Sequence, residues 1–412
     1  MGETGLTMRW KWPMYLLAGY PIVDYFLHID PWGIIGQDWA TLLLLYLVFL
    51  SIRQYLAHGR MRTYPTHRMI LYMAVLGVAY IAMDMEYVKV AVDGYETNFL
   101  YMLIALLLPF VLSREDIVPM IKLLVFAGFL MALHGVYEYI VAVPIPAAWG
   151  GLAGHVRTRV YSLFGSPNIL GSYMAFIVPL ACAVALYETD RGQRLFYGTA
   201  ALFSAACLVF TFTRGAWLAF LVGFLVFTWL VDRRLTIGIL GIALLAYFLV
   251  PPIHARLQEF MSPVYWAETF GSGGRIARWE HAYDQMRLNP LFGAGLGRYG
   301  GAVASRFFGS MYVDNYYAKT LADTGLLGLG SYLALIAVYL RDVFRIWRNM
   351  TDSRLRRLFA GVFSSLVVFT AHAFVENIFE VPTVNMLFWL VGTLVLIYGA
   401  GEGGRHDRIA QA

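Results

Sequence analysis

The sequence predicts an all-α, polytopic integral membrane protein with about 12 transmembrane helices and one large extracytoplasmic loop containing short helices. Three observations predict this class. Hydrophobic residues make up 59% of the chain and charged residues 14%, with a mean hydropathy of +0.62. Soluble domains carry roughly 45–50% apolar and about 25% charged residues. Apolar runs of about 17 to 25 residues recur along the chain, which suits a hydrocarbon core of ~30 Å. The short alternating segments that a β-barrel needs are missing.

Apolar runs between charged punctuation place helices near 13–28, 33–52, 68–84, 97–113, 116–142, 167–187, 195–212, 214–231, 235–251, 314–340, 357–378 and 382–400. The opening "MRWKWP" resembles the charged front of a signal peptide. The run after it contains Asp24 and lacks a small-residue cleavage site, so an uncleaved first helix is expected. Cys182 and Cys207 both lie inside apolar runs, which points to buried, inert thiols rather than a disulfide framework. The chain reads as a single polytopic domain, residues 1–412, with residues 252–313 as the large loop.

Charge then sets the orientation. With a cytoplasmic N-terminus, the cytoplasmic segments hold 20 of the 31 basic residues, among them Arg53, Arg114, Lys122, Arg191, Arg234, Arg348 and Arg357. The positive-inside rule therefore puts both termini in the cytoplasm. Arginines on the other face run against that rule. Apart from Lys89 they gather in segments 143–166 and 252–313 and at the mouths of adjoining helices. An anionic ligand there would account for them, as would solvation of a long loop; for the distal Arg256 and Arg306, solvation is the reading preferred.

Four stretches carry residues suited to chemistry. In "FTFTRGAW", Arg214 sits at the outer junction of two apolar runs, where it must pair, snorkel or face a polar cavity. In "GSGGRIARWEHAYDQMRLNPLFGAGLGRYGG", glycines precede a helix beginning near Arg275, which offers free N–H groups to phosphate oxygens. Arg275 and Arg278 are spaced i,i+3 on one face, and a second glycine-rich turn brings Arg298. In "RTRVYSLFGSPNILGSYM", Ser166 is expected to cap a helix that has Pro167 at its first position, with Arg157 and Arg159 as anion contacts. In "AHAFVENIFEVP", His372, Glu376 and Glu380 are expected on one face of the eleventh span, either pairing with the arginines or acting directly.

Metal-ligand spacing, a Walker-type loop and a dinucleotide fingerprint do not occur, so neither a metal nor another cofactor is expected. A nucleic acid partner is not expected either. Polar residues cluster at the outer edge and the two halves show no convincing repeat, which favours chemistry at that face over a transporter or flippase.

Taken together and in order, "FGSPNILGSYM", "TFTRGAWLA", "GRIARWEHAYDQMRLNPLFGAGLGRY" and "DNYYAKTLADTGLLGLGSYLAL" resemble the O-antigen ligase and polymerase superfamily, the Wzy-type bacterial glycan polymerases and their relatives. The resemblance covers roughly residues 155 to 395. It implies transfer of a glycan from undecaprenyl pyrophosphate to an acceptor glycan hydroxyl at the outer face of the bacterial cytoplasmic membrane, without metal or nucleotide sugar. A ligase acting on lipid A-core, teichoic acid or protein is the alternative within the family. The resemblance makes Arg214 and Arg275 grips for the pyrophosphate, supported by Arg278 or Arg298, with membrane lipids and a chain-length regulator as further partners. Where the ligases have His-Asn at the start of the tenth span, this chain has Asp314-Asn315, which favours a polymerase. Asp314 is then expected as base or acceptor-orienting group, or else as a plain helix cap. Asn315 is expected to contact sugar, and Lys319 to contact the anion.

Overall fold

The computed structural model describes residues 6–28, 34–59, 63–145 and 158–409, and the regular structure among them is entirely helical. Two short helices, α1 (Met8–Tyr15) and α2 (Tyr20–His28), stand where one first span was predicted. Gly19 and Pro21 flank the start of α2 at Tyr20, and Pro21, which has no N–H to continue a preceding helix, sits in its first turn. Then come α3 (Ile34–His58) and α4 (Pro65–Met83). The predicted span 97–113 is instead two pieces, α5 (Val88–Phe99) and α6 (Met102–Leu107), with a 50° bend in that region and a 3-10 turn carrying Pro109 behind it.

Long helices follow: α7 (Arg114–Val141), α8 (Pro167–Tyr187), α9 (Arg191–Phe210), α10 (Arg214–Val231) and α11 (Arg233–Leu249). Side chains at their starts explain the boundaries. Ser113 and Asp116 form a reciprocal capping box before α7, and Asp190 and Asp232 cap α9 and α11. Ser166 accepts from the Ile169 amide with Pro167 in the first turn, as the sequence predicted. Segment 252–313 holds most of α12 (Pro251–Gln258), then α13 (Pro263–Phe270), α14 (Arg275–Leu288) and α15 (Ala302–Phe308). The chain closes with α16 (Tyr316–Arg348), α17 (Ser353–His372) and α18 (Pro382–Ile409).

Among the described residues, eight helices are individually long and apolar enough to cross a membrane, or nine if the bent α5–α6 region counts once, rather than twelve. The shortfall has local causes. The first predicted span is broken, α11 is only 17 residues long, and α17 opens with Arg354, Arg356 and Arg357 and carries Ser364 and Ser365 in its middle. The core lies around α8, which packs on α9, α10 and α17, and around α18, which packs on α6, α7, α16 and α17. Phe176 of α8 stacks on Phe369 of α17 at 4.4 Å between ring centres.

Polar contacts separate into two ends. Lys11 binds Asp116 at 2.8 Å, Lys122 binds Glu188 at 2.6 Å, Arg354 donates to the Tyr187 carbonyl, and Thr66 donates to Asp342. These residues belong to the segments predicted as cytoplasmic. The arginines predicted opposite them gather at the other end.

One helix is interrupted on purpose. At Gly325 the backbone of α16 turns to φ +63°, ψ −165°. The freed groups are taken up by the loop after α14. Ala294 and Gly295 amides donate to the Ala322 and Asp323 carbonyls at 2.9 and 2.8 Å, while Leu326 and Leu327 amides donate to the Pro290 and Leu291 carbonyls at 2.8 and 3.1 Å. Irregular backbone at such a place is tolerated only when protein satisfies it, and here it does. A Cβ at Gly325 would lie 2.5 Å from the Leu291 carbonyl carbon and oxygen. Gly325→Ala is therefore expected to destabilise the fold by at least about 2 kcal/mol, from the left-handed backbone and the clash together. A thermal unfolding series in detergent checks this: an unchanged midpoint would mean that the loop moves aside freely.

Candidate active site

Four segments deliver arginines to one end of the bundle. Arg159 comes from the stretch before α8, Arg214 from the first residue of α10, Arg256 from α12, and Arg275 and Arg278 from the first turn of α14. Arg159 is buried; its Nε donates to the Thr211 carbonyl at 3.0 Å, and its Nη2 donates to Asn168 and Thr213, each at 3.2 Å. Arg214 Nη1 lies 3.2 Å from Glu259, and its guanidinium sits 4.6 Å over the Tyr265 ring. Arg256 pairs with the same Glu259 carboxylate and donates to the Phe212 carbonyl at 3.3 Å. Burial first, and then the neighbouring Arg256 and Arg214 charges, push the Arg159 guanidinium down to about 10, still charged at neutral pH. A place where fixed positive charges crowd one another favours an anion.

The second half of the site is the turn into α16. Asp314 has φ +53°, a left-handed backbone that aspartate tolerates better than most residues. Its Oδ2 meets Arg278 Nη2 at 2.9 Å and Arg275 Nε at 3.6 Å. Arg278 also donates to the Tyr312 carbonyl at 2.5 Å, and Trp279 donates to the Val313 carbonyl at 3.1 Å, so α14 is clipped to this turn. The helix cap is Asn315, whose Oδ1 accepts from the Tyr317 and Ala318 amides, both at 3.0 Å. Capping, offered by the sequence as one role for Asp314, thus falls to its neighbour, and the Asn315 side-chain oxygen expected at a sugar is committed to the helix.

The turn after α17 completes the site, and here the sequence reading needs correcting. His372, Glu376 and Glu380 do not share a helix face, because α17 ends at His372 and Glu380 sits in a 3-10 turn. Each goes its own way. His372, fully enclosed, bonds Ser172 of α8. Half-buried Glu376 accepts from Asn168 Nδ2 at 2.7 Å. Glu380 turns to Lys319. Between them Asn377 ties the turn to the site, accepting from the Asn315 amide at 3.1 Å and donating to the Gly300 carbonyl at 2.8 Å.

Lys319 also departs from expectation. It is 2% exposed and lies 2.8 Å from Asp323 and 3.1 Å from Glu380. Asp323 further accepts from the Tyr299 and Gly297 amides, and Glu380 from the Ala302 amide. A lysine so neutralised is a structural tie between α16, the glycine-rich turn and the α17–α18 connection, and not a surface anion contact. Arg298 lies apart, 3.3 Å from Asp84 and stacked on Tyr87. Arg306 is exposed and pairs with Asp93, as solvation predicted. Arg256 is the opposite case: buried and paired inside the arginine group, it does not behave as a solvated loop residue. Arg157 falls outside the described residues.

Sequence reasoning passed over Arg256, Glu259, Tyr265, Asn168 and Asn377 as parts of the site. For Arg256 the signal was present, an arginine on the disfavoured face. For Asn168 it was the "SPN" start of α8, read only as a cap. Nothing in the sequence marks Glu259 or Asn377: Glu259 also meets Arg214, 45 positions away, and Asn377 meets Asn315 and Gly300, 62 and 77 positions away.

Fold and site together define a polytopic, all-helical membrane protein with an arginine-lined polar end. Residues 199–333, about a third of the chain, match the family model described as O-antigen ligase, so over this segment the chain is similar to that family. That span includes Arg214, Arg256, Arg275, Arg278, Asp314 and Asn315. No curated protein matches the chain. A chain from a solved structure on "structural coordination of polymerization and crosslinking by a peptidoglycan synthase complex" aligns with a TM-score of 0.47 and 14% identity, covering 80% of this chain and 96% of that one.

Proposed function

We propose that this protein is a membrane glycosyltransferase that moves a glycan from an undecaprenyl-pyrophosphate carrier to an acceptor sugar hydroxyl and so polymerises surface polysaccharide repeat units. The observation that carries this reading is the convergence of Arg159, Arg214, Arg256, Arg275 and Arg278 from four chain segments onto one polar end, with Glu259, Asp314 and Glu376 as the nearby acids. The placement proposed is the outer face of the bacterial cytoplasmic membrane, with both termini inside.

The chemistry follows from the charges. The acceptor oxygen attacks the anomeric carbon and loses its proton to a carboxylate. The bond from that carbon to the phosphate oxygen breaks, and undecaprenyl pyrophosphate leaves with the electron pair. Arginines already in place stabilise the growing negative charge without reorganising. The direct attack inverts the anomeric configuration, and no metal enters the proposal.

A ligase differs only in its acceptor, and the description of the matched family favours keeping it as the second reading. Asp314 stands where the ligases have histidine, which supports the polymerase. Reconstitution in proteoliposomes with lipid-linked repeat units, without ATP or metal, separates the outcomes. A product ladder is expected; transfer only to an added lipid A-core, teichoic acid or protein acceptor would make the protein a ligase. Substrate crossing the membrane with no new bond would make it a flippase.

A further inference from the structure

The three acids beside the arginines differ in what holds them. Glu259 is spent on Arg214 and Arg256. Asp314 faces two guanidinium groups through one oxygen, Oδ2, at 2.9 and 3.6 Å. That oxygen is committed to aiming the two guanidinium groups. Glu376 has no ion pair within contact distance among the described residues. Its side-chain bond through Oε2 is to a neutral amide, Asn168 Nδ2, at 2.7 Å.

That amide is itself fixed. Arg159 Nη2 and the Thr213 hydroxyl both donate to Asn168 Oδ1, at 3.2 and 3.3 Å, which turns Nδ2 towards Glu376. On the other side, Asn377, next in sequence, holds the Asn315 amide beside Asp314. Glu376 therefore stands between the anchored start of α8 and the turn into α16, within the field of Arg275 from α14 and Asp314. The Tyr312 phenol senses the same acids, and His372 at the end of α17 senses the same Arg275.

We infer that Glu376 is the residue that takes the proton from the acceptor hydroxyl, and that Asp314 is a positioning residue that aims Arg275 and Arg278. This deepens the transfer reading proposed above and rests on it. In the step, the hydroxyl O–H breaks towards Glu376 Oε1 or Oε2 as the new glycosidic C–O bond forms. The proton is then lost to water, and the arginine group holds the departing pyrophosphate. Supporting this placement, burial first and then the Asp314 charge raise the Glu376 carboxyl to about 7, against the pull of Arg275, the Asn168 side chain and the Asn377 backbone. A base with that value is charged above neutral pH and silenced by protonation below it.

The test uses the full chain in proteoliposomes, with lipid-linked repeat units as donor, across about pH 5 to about pH 9. Wild-type turnover should rise with pH and level off above about 7. Glu376→Gln should lower turnover by about 10²- to 10⁴-fold at every pH and abolish that rise. Its retention of fluorescent undecaprenyl pyrophosphate should stay at the wild-type level. Asp314→Asn should weaken donor retention yet keep the rise. Asn168→Leu removes a donor to the charged carboxylate, so its rise should move to higher pH, a shift that a purely structural contact would not give and that does not depend on Glu376→Gln folding. A Glu376→Gln variant that keeps turnover and the rise, an Asp314→Asn variant that loses the rise, or an Asn168→Leu variant with an unmoved rise would each overturn the assignment. Absence of transfer by the wild type would bring down the transfer reading itself, and it is seen before any substitution is made.

Discussion

Lys319→Met is expected to cost about 3–5 kcal/mol of stability, because it leaves Asp323 and Glu380 buried without their shared cation. Both acids keep their backbone donors, at Tyr299, Gly297 and Ala302, but these partly satisfy two negative charges that now repel each other. The loss should appear as a lower unfolding midpoint in detergent, present with or without lipid-linked substrate. Replacing the whole triad (Lys319→Met with Asp323→Asn and Glu380→Gln) should recover much of it, since an uncharged set has no desolvation penalty to offset. The contrary result is informative. A Lys319→Met protein as stable as the wild type but unable to retain undecaprenyl pyrophosphate would restore lysine as an anion contact and remove the structural role assigned to it here.

Arg214→Ala and Arg275→Ala should each lower glycan transfer by about 10²- to 10³-fold while leaving the fold intact. The reason lies in how their partners are shared. Glu259 keeps Arg256 when Arg214 is lost, and Asp314 keeps Arg278 when Arg275 is lost. Neither substitution leaves a carboxylate without a cation, so the usual source of unfolding in charge deletions is absent. Lysine at either position should restore only part of the activity, because a point charge does not reproduce the planar fork that matches phosphate oxygens. Product ladders and donor retention, measured beside an unfolding curve, decide the matter. Unaltered ladders in both variants would separate the arginine group from the pyrophosphate.

Much of this was readable from the residues. Apolar run length located α8 and α10 to the residue, because Pro167 and Arg214 sit where one helix must begin and charge punctuation ends each run. The start of α14 at Arg275 was marked by the glycines before it. What the sequence could not show was pairing. Lys319 and Glu380 stand 61 positions apart, and a charge in a sequence does not reveal whether it faces a ligand or another charge. The same ambiguity hid Arg256, whose partner Glu259 is near but which is tucked against the Phe212 carbonyl in the turn before α10. Asp314 and Asn315 are both good cap formers, and only the left-handed turn at Asp314 decides which one faces the helix. The break at Gly325 was invisible for a related reason: its flanks are apolar, and the donors and acceptors that complete it come from residues 290–295.

That break also ties the loop after α14 to α16. Four backbone hydrogen bonds rivet the stretch between α14 and α15 to the interior of α16, and α14 carries Arg275 and Arg278 on the same rigid path. The arginines are consequently tied to α16 through their own helix, like teeth on a comb rather than fingers on a hinge. A short glycan and a long one meet the same geometry, so each addition under the proposed reaction is mechanically identical to the last.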